Sequence, residues 1–279
     1  MNYFDSLTQF LDRSDRNNAE KFWANALVIQ IAKGNIKSNN GKIDFQDTKN
    51  FESSIEKYYL GKLGTQHYFA VNLDPGDTGQ NLRQLAPSLT EIEITMAMQA
   101  TSLINWHETH QCCSRCGAKT IVVSQGWVRQ CEVDGSQHFP RTDPAVIVLV
   151  TDSQNRLLLG RQKVWAEGKF SNFAGFVEPG ETLEEAVKRE VEEETGLKVS
   201  NIQYLSSQPW PFPASIMLAF SATANNPETA KADGEEIVEL HWFTKDELRK
   251  AADSGKVILP DPLSVSRKML DYWWSDDKR

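Results

Sequence analysis

The chain has 279 residues, 40% hydrophobic and 24% charged, with a formal net charge of −8. That length suits one or two globular domains, and the acidic balance argues against a general nucleic-acid binder, which is normally basic. No apolar run approaches the roughly 20 residues that span a bilayer, the opening MNYFDSLTQFLDR lacks the basic and apolar regions of a secretory signal, and the closing SDDKR is no peroxisomal tripeptide, so a cytoplasmic protein without membrane contact is expected.

Residues 1–105 carry no catalytic motif. Ala26–Ile31 and His67–Val71 are short apolar runs that predict strands, and Ser38-Asn39-Asn40-Gly41 predicts a turn. A helix is predicted from about Ser88–Thr90 to His107, with Leu89, Ile92, Met96, Ala100, Leu103 and Ile104 as its apolar stripe. The stripe reads as core, and the region as a small α+β domain with scaffold or dimerisation duties. Arg83 precedes the helix as a lone basic residue, by default a solvated one and otherwise a contact for a substrate phosphate.

Residues 106–140 suggest a zinc-ribbon-like insert. Cys113-Ser-Arg-Cys116-Gly117 forms one knuckle, and three of the four cysteines crowd into residues 112–116, which suits a metal site in a reducing compartment better than disulfides. Cys131 begins a second knuckle, but Asp134 stands where its second thiol belongs. Asp134, His138 or Cys112 is left to supply the fourth ligand of a structural Zn²⁺, since carboxylate and imidazole both bind it. The competing reading is a ribbon held by packing alone.

Residues 141–279 are read as a further domain. Ala145–Thr151 is a continuous apolar run, the pattern of a strand buried on both faces. Further strands are predicted at 156–160, 199–206, 215–223 and 237–243. Short helices follow Thr244, whose partner in a capping box is Glu247, and span about 262–274. Mixed strands with helices on two faces give an α/β/α sandwich. Within it, Gly175–Leu197 reads GFVEPGETLEEAVKREVEEETGL. Thr182 and Glu185 form a capping box, the helix runs to about Thr195, and Gly196 stops it. Glu190, Glu193 and Glu194 sit at i, i+3 and i+4, which places three carboxylates on one helix face. Either the face is merely solvated, or these hard oxygen ligands hold Mg²⁺ or Mn²⁺ together with substrate phosphates.

Ten residues beyond this stretch comes Ser207-Gln-Pro-Trp-Pro-Phe-Pro-Ala-Ser215. Three prolines in five residues predict a stiff loop rather than a ladder. Trp210 and Phe212 on it are read as exposed aromatics for stacking on a base, or as a hydrophobic plug.

Gly175–Leu197 resembles the Nudix box with every defining position filled, and SQPWPFPAS resembles the signature of the NADH pyrophosphatase branch of that superfamily. The resemblance implies divalent-metal hydrolysis of the pyrophosphate of NADH or NAD⁺, to AMP and the nicotinamide mononucleotide half. Removal of NAD caps from RNA 5′ ends, by cutting the same bond, is the alternative. A ligand-sensing Nudix domain without hydrolysis would be expected to lack box glutamates, and all are present. By position, Glu190 and Glu194 are implied as metal ligands, Glu193 as a ligand or the general base, Glu236 as a further ligand and the Ala174 carbonyl as another. Phe176 is implied to stack on the substrate. Gln208, Pro209, Trp210, Pro211, Phe212, Pro213, Ala214 and Ser215 are implied to line its pocket, with Ser266 approaching from the last helix and Arg83 and Phe139 as further contacts across a homodimer.

Overall fold

The computed structural model of the chain describes residues 10–275, and the expectations about the two termini fall outside them. The fold divides into two compact units. One comprises residues 10–142 together with Trp210–Ala214, so the cysteine-bearing segment falls in the same unit as the residues before it. The other comprises Asp143–Pro209 and residues 215–275. Among the described residues no helix is long and apolar enough to cross a membrane.

In the first unit the strands are β1 (Leu27–Ala32), β2 (Asn35–Asn39), β3 (Lys42–Ile43), β4 (Gln46–Asp47), β5 (Lys57–Leu63), β6 (Gln66–Asn72) and β7 (Gly79–Asn81). They form one sheet in the order β3-β2-β1-β6-β5, with β4 on β1 and β7 on β2. The predicted turn is a two-residue hairpin loop between β2 and β3. Asn40 and Gly41 both take positive φ, the geometry such loops need. Helices α1 (Leu82–Leu85) and α2 (Glu91–Thr109) follow, each opened by a capping box, Asn81 with Gln84 and Thr90 with Glu93. Met96, Ala100, Leu103 and Ile104 of the predicted stripe are buried in the core.

The ribbon segment adds a three-stranded sheet of β8 (Thr120–Val123), β9 (Val128–Cys131) and β10 (Gln137–His138). Arg129 of β9 is buried, and its donors reach the Thr120 hydroxyl and carbonyl and Nδ1 of His107 on α2. Burial pushes the His107 ring down to about 4, so the ring is neutral and accepts from the guanidinium. Its Nε2 donates to the Gly126 carbonyl at 2.8 Å.

The second unit is built on β11 (Asp143–Thr151), β12 (Leu157–Gln162), β13 (Phe173–Phe176), α3 (Leu183–Thr195), β14 (Val199–Trp210), β15 (Ser215–Ala224), β16 (Ile237–Phe243), α4 (Lys245–Asp253) and α5 (Val265–Trp274). The sheet order is β14-β15-β11-β12-β16, with β13 also on β11. β11 runs parallel to β15 and antiparallel to β12 and β13. Strand alternation sends Val146, Val148 and Val150 of β11 to one face, where Ala186, Val187 and Val191 of α3 pack on them. Ile147 and Leu149 go to the other, under Leu248 of α4 and Val265, Met269, Leu270 and Trp273 of α5. This is the expected α/β/α sandwich with a mixed sheet.

One prediction is corrected. The proline segment is not loop throughout, because β14 continues through Ser207 and Pro209 to Trp210. Among the described residues β14 is an edge strand, and there a residue without an N–H is tolerated.

Candidate active site

The sheet splits where the box begins. β12 pairs with Val150 and Thr151 at the end of β11, while β13 pairs with Ala145–Val148 earlier on the same edge. β13 thus delivers Ala174, Gly175 and Phe176 beside α3, whose limits follow the predicted caps. The Thr182 side chain accepts from the Glu185 amide, and Gly196 takes φ 68°.

Arg189 ties the loop to the helix. Its Nε and Nη2 donate to the two Glu181 oxygens at 2.6 and 2.9 Å, and Nη2 also reaches the Phe176 carbonyl at 2.8 Å. Its Nη1 donates to Glu190 at 2.7 Å and Glu193 at 3.0 Å. A bidentate guanidinium–carboxylate pair of this kind is strong and directional. Arg189, followed by the Glu178 amide, holds Glu181 down to about 2.

Arg189 does not compensate everything around it. Burial raises Glu190 above its ordinary value despite the guanidinium. Glu194 is only 4% exposed. The Ala174 amide donates to its carboxylate, but its Oε2 is buried with no hydrogen-bond partner among the described residues. Burial, followed by the charges of Glu236, Glu190 and Asp233, pushes Glu194 up to about 9. A buried, unpartnered carboxylate oxygen facing other carboxylates is a costly arrangement for the protein alone. It suits a hard divalent cation bound by oxygen ligands. Gly175 makes room for the set, since a Cβ there would lie 2.0 Å from the Glu190 carboxyl.

Glu190 and Glu236 thus lie near enough to Glu194 for their charges to raise it, and the Ala174 amide meets its carboxylate. Glu193 stands apart, with a side chain 60% exposed and paired with Arg189. Phe176, at the end of β13, is 57% exposed, and Phe139 is 63% exposed. Gln208 is buried, where its Nε2 donates to the Leu263 carbonyl and its Oε1 accepts the Val265 amide at the start of α5. Ser266 is buried too, within hydrogen-bond reach of the Ser171 hydroxyl and the Asn172 amide. Ser215 opens β15 opposite Asp143.

The arrangement of Trp210 and Phe212 lies between the two readings, exposed rings or a hydrophobic plug. Both are half-buried, packed edge to face with centroids 5.1 Å apart. The Arg83 guanidinium lies over both rings at 5.2 and 4.8 Å, a cation–π arrangement. The Asn105 amide donates to the Pro211 and Pro213 carbonyls at 3.2 and 3.4 Å.

Sequence reading passed over three residues with a part in these arrangements. Asn105 lies on the polar side of a helix whose stripe reads as core. Asp233 carried the one available signal, an Asp-Gly turn just before Glu235-Glu236. Gln162, whose Nε2 donates to Glu236 Oε1 at 2.8 Å, carried none.

In the ribbon, the ligand atoms of Cys113, Cys116, Cys131 and Asp134 all lie within 4.8 Å of one another. The Ser136 hydroxyl and the Arg115 and Cys116 amides hold the Cys113 thiol down to about 6, the thiolate form that binds metal. His138 reaches the Ser136 hydroxyl instead, and Cys112 is exposed. Three thiols and one carboxylate fit tetrahedral zinc.

Comparison with known proteins matches two segments of the chain. Residues 141–261 match the family described as NUDIX domain, and residues 108–139 the one described as NADH pyrophosphatase zinc ribbon domain. The "NAD-capped RNA hydrolase NudC" of Mycobacterium bovis (strain BCG / Pasteur 1173P2) is 35% identical over 285 residues, 94% of this chain and 90% of that protein. The protein of the same name from Mycobacterium tuberculosis (strain ATCC 25177 / H37Ra) is 34% identical over the same shares. "NAD-capped RNA hydrolase NUDT12" of Macaca fascicularis is 36% identical over 234 residues, 75% of this chain and 50% of that one.

Proposed function

The chain belongs to the NADH pyrophosphatase type of Nudix hydrolase, and on that premise we propose that it cleaves the pyrophosphate bond of NAD(H), free or as the 5′ cap of RNA. Free NADH or NAD⁺ would yield AMP and the nicotinamide mononucleotide half, and a capped RNA the same mononucleotide and a 5′-monophosphate end. The observation that carries this reading is Glu194, a buried carboxylate with an unpartnered oxygen among like charges. The names of the relatives favour the RNA cap as a substrate beside the free dinucleotide.

Glu190, Glu194 and Glu236, with the Ala174 carbonyl, would hold Mg²⁺ or Mn²⁺. When bound, such an ion stabilises charge on the pyrophosphate oxygens and makes a water more acidic. Glu193, which stands apart from the other three carboxylates and pairs with Arg189, would accept the proton as that water's oxygen bonds to phosphorus and the bridging P–O bond breaks. Arg189 keeps the loop and its carbonyls fixed meanwhile. Phe176 stacks on a ring of the substrate, and the Trp210–Phe212 segment, Phe139 and Arg83 add recognition of the dinucleotide. Gln208 and Ser266, both buried, tie the start of α5 to β14 and to the segment before β13. The ribbon residues Cys113, Cys116, Cys131 and Asp134 hold a structural zinc, which elemental analysis should read as about one per chain. The reading includes a cytoplasmic homodimer, which light scattering should register at twice the 31.5 kDa chain mass.

The activity itself is tested by incubating the protein and Mg²⁺ or Mn²⁺ with NADH, NAD⁺ and NAD-capped RNA, and identifying the products. Absence of AMP from the first two and of a 5′-monophosphate end from the third would overturn the assignment. Recognition is tested by Phe176→Ala. Stacking on a base is worth about 1–3 kcal/mol, so kcat/KM for NADH should fall by one to two factors of ten. A small pyrophosphate lacking that ring should change much less, and an unchanged ratio between the two would show that Phe176 only packs.

A further inference from the structure

Glu236 is exposed, and an exposed glutamate ordinarily samples many rotamers. Here three of its polar groups are held. Its amide donates to Asp233 Oδ2 at 3.2 Å. Its carbonyl accepts the Lys163 amide at 3.0 Å. Its Oε1 accepts from Gln162 Nε2 at 2.8 Å.

Asp233 does more than meet one amide. Its Oδ1 also accepts from the Glu235 and Ile237 amides at 3.1 and 2.8 Å, so the carboxylate sits in a crown of three N–H groups. Gly234, at φ +83°, lets the chain turn around it. Asp233 thereby fixes the backbone on both sides of Glu236.

Gln162 reaches Glu236 through an irregularity in the ladder. Arg161 lies opposite Glu239, so regular antiparallel pairing would set Gln162 opposite Val238. The register shifts between them, and Gln162 lies opposite Ile237 instead. A bulge of this kind re-aims a side chain locally. The neighbouring pairs divide the work by charge. Arg161 donates to Glu239 at 2.8 Å and, as the largest influence, lowers its pKa. Gln162 is a neutral donor, so it orients Glu236 without cancelling its charge.

We propose that Asp233 and Gln162 are positioning residues, which hold Glu236 as a preformed third carboxylate of the cation site formed with Glu190 and Glu194. This rests on the metal site given above and assigns the bulge and the Asp233 crown a part in it. Holding the arm in advance spares the ordering cost that a mobile glutamate would meet on binding the cation.

The test uses the full chain with Gln162→Leu and Asp233→Asn, each alone and each combined with Glu236→Gln. Mn²⁺ affinity is measured by calorimetry without substrate, beside metal-free melting curves and the metal dependence of NADH hydrolysis. Each single variant should weaken Mn²⁺ binding by about tenfold or more, with the loss mainly in the metal concentration for half-maximal rate rather than in kcat. In the Glu236→Gln background Gln162→Leu should not weaken binding further, because it acts through that side chain, and Asp233→Asn should keep only the smaller loss that removing its own charge near Glu194 brings. If Glu236→Gln weakens Mn²⁺ binding while both single variants bind like the parent, the positioning role fails and the metal site stands. Equal losses in both backgrounds, or lowered melting with unchanged Mn²⁺ binding, would likewise assign the two residues to loop structure alone. If Glu236→Gln itself binds Mn²⁺ like the parent, the metal site as drawn falls and the positioning role with it.

Discussion

Glu194→Gln should leave the chain folded and lower NADH turnover by about a thousandfold or more, since a metal ion's charge stabilisation is worth several kcal/mol. Gln keeps the length and an acceptor for the Ala174 amide but removes the charge that a cation needs. A second reading separates this from a packing defect. Without metal, burial and the charges of Glu236, Glu190 and Asp233 lift the Glu194 carboxyl from 4.5 in the unfolded chain to about 9. Between those values the folded state holds a proton that the unfolded state has released. The metal-free parent should therefore lose stability as pH rises from about 4.5 towards 9, and the Gln variant should lose less. Full turnover in a normally folded variant would remove Glu194 from the chemistry. Parallel stability curves would show that its environment does not disfavour the charge.

Gly175→Ala is the second large expected effect. The new Cβ would lie 2.0 Å from the Glu190 carboxyl, so that carboxyl must move. It is the far end of a flexible side chain, and the fold should tolerate the shift. Yet Arg189 grips it at 2.7 Å, so it moves against a charge-assisted bond and away from the cation position. About a hundredfold loss in metal affinity or turnover is expected, the upper range for residues that orient metal ligands. Glu190→Gln should absorb the effect, with Gly175→Ala adding little in that background. If Gly175→Ala keeps Mn²⁺ affinity and rate, the close packing of Gly175 and Glu190 has no bearing on catalysis.

The box helix was legible because its determinants are local. A capping box at Thr182, an apolar stripe and a glycine at the C′ position fixed both ends to the residue. The carboxylate face followed from helical spacing alone. Buried strands of the sandwich were legible as apolar runs. What escaped depends on strand neighbours. Pro209 lies in a strand because β14 has an open edge, and a single sequence does not say which strands are edges. Gln162 meets Glu236 across a ladder with a one-residue slip, and nothing in Arg161-Gln162 announces that slip. Whether Trp210 and Phe212 project or plug stayed open in the sequence because their cover, Arg83, is supplied from more than a hundred residues earlier in the chain.

Trp210–Ala214 lie within the segment 141–261 that matches the NUDIX family, yet they belong structurally with residues 10–142. Inheritance and packing thus divide this chain at different places. A recombinant gene that kept residues 141–279 and took its upstream half from a distant relative would carry Trp210 and Phe212 without the guanidinium of Arg83 and the amide of Asn105 that hold them. Exchange at the apparent domain border would then be penalised even if both halves came from working enzymes. Positions 83, 105 and 210–213 should accordingly change together across lineages, as one unit of selection scattered over two modules.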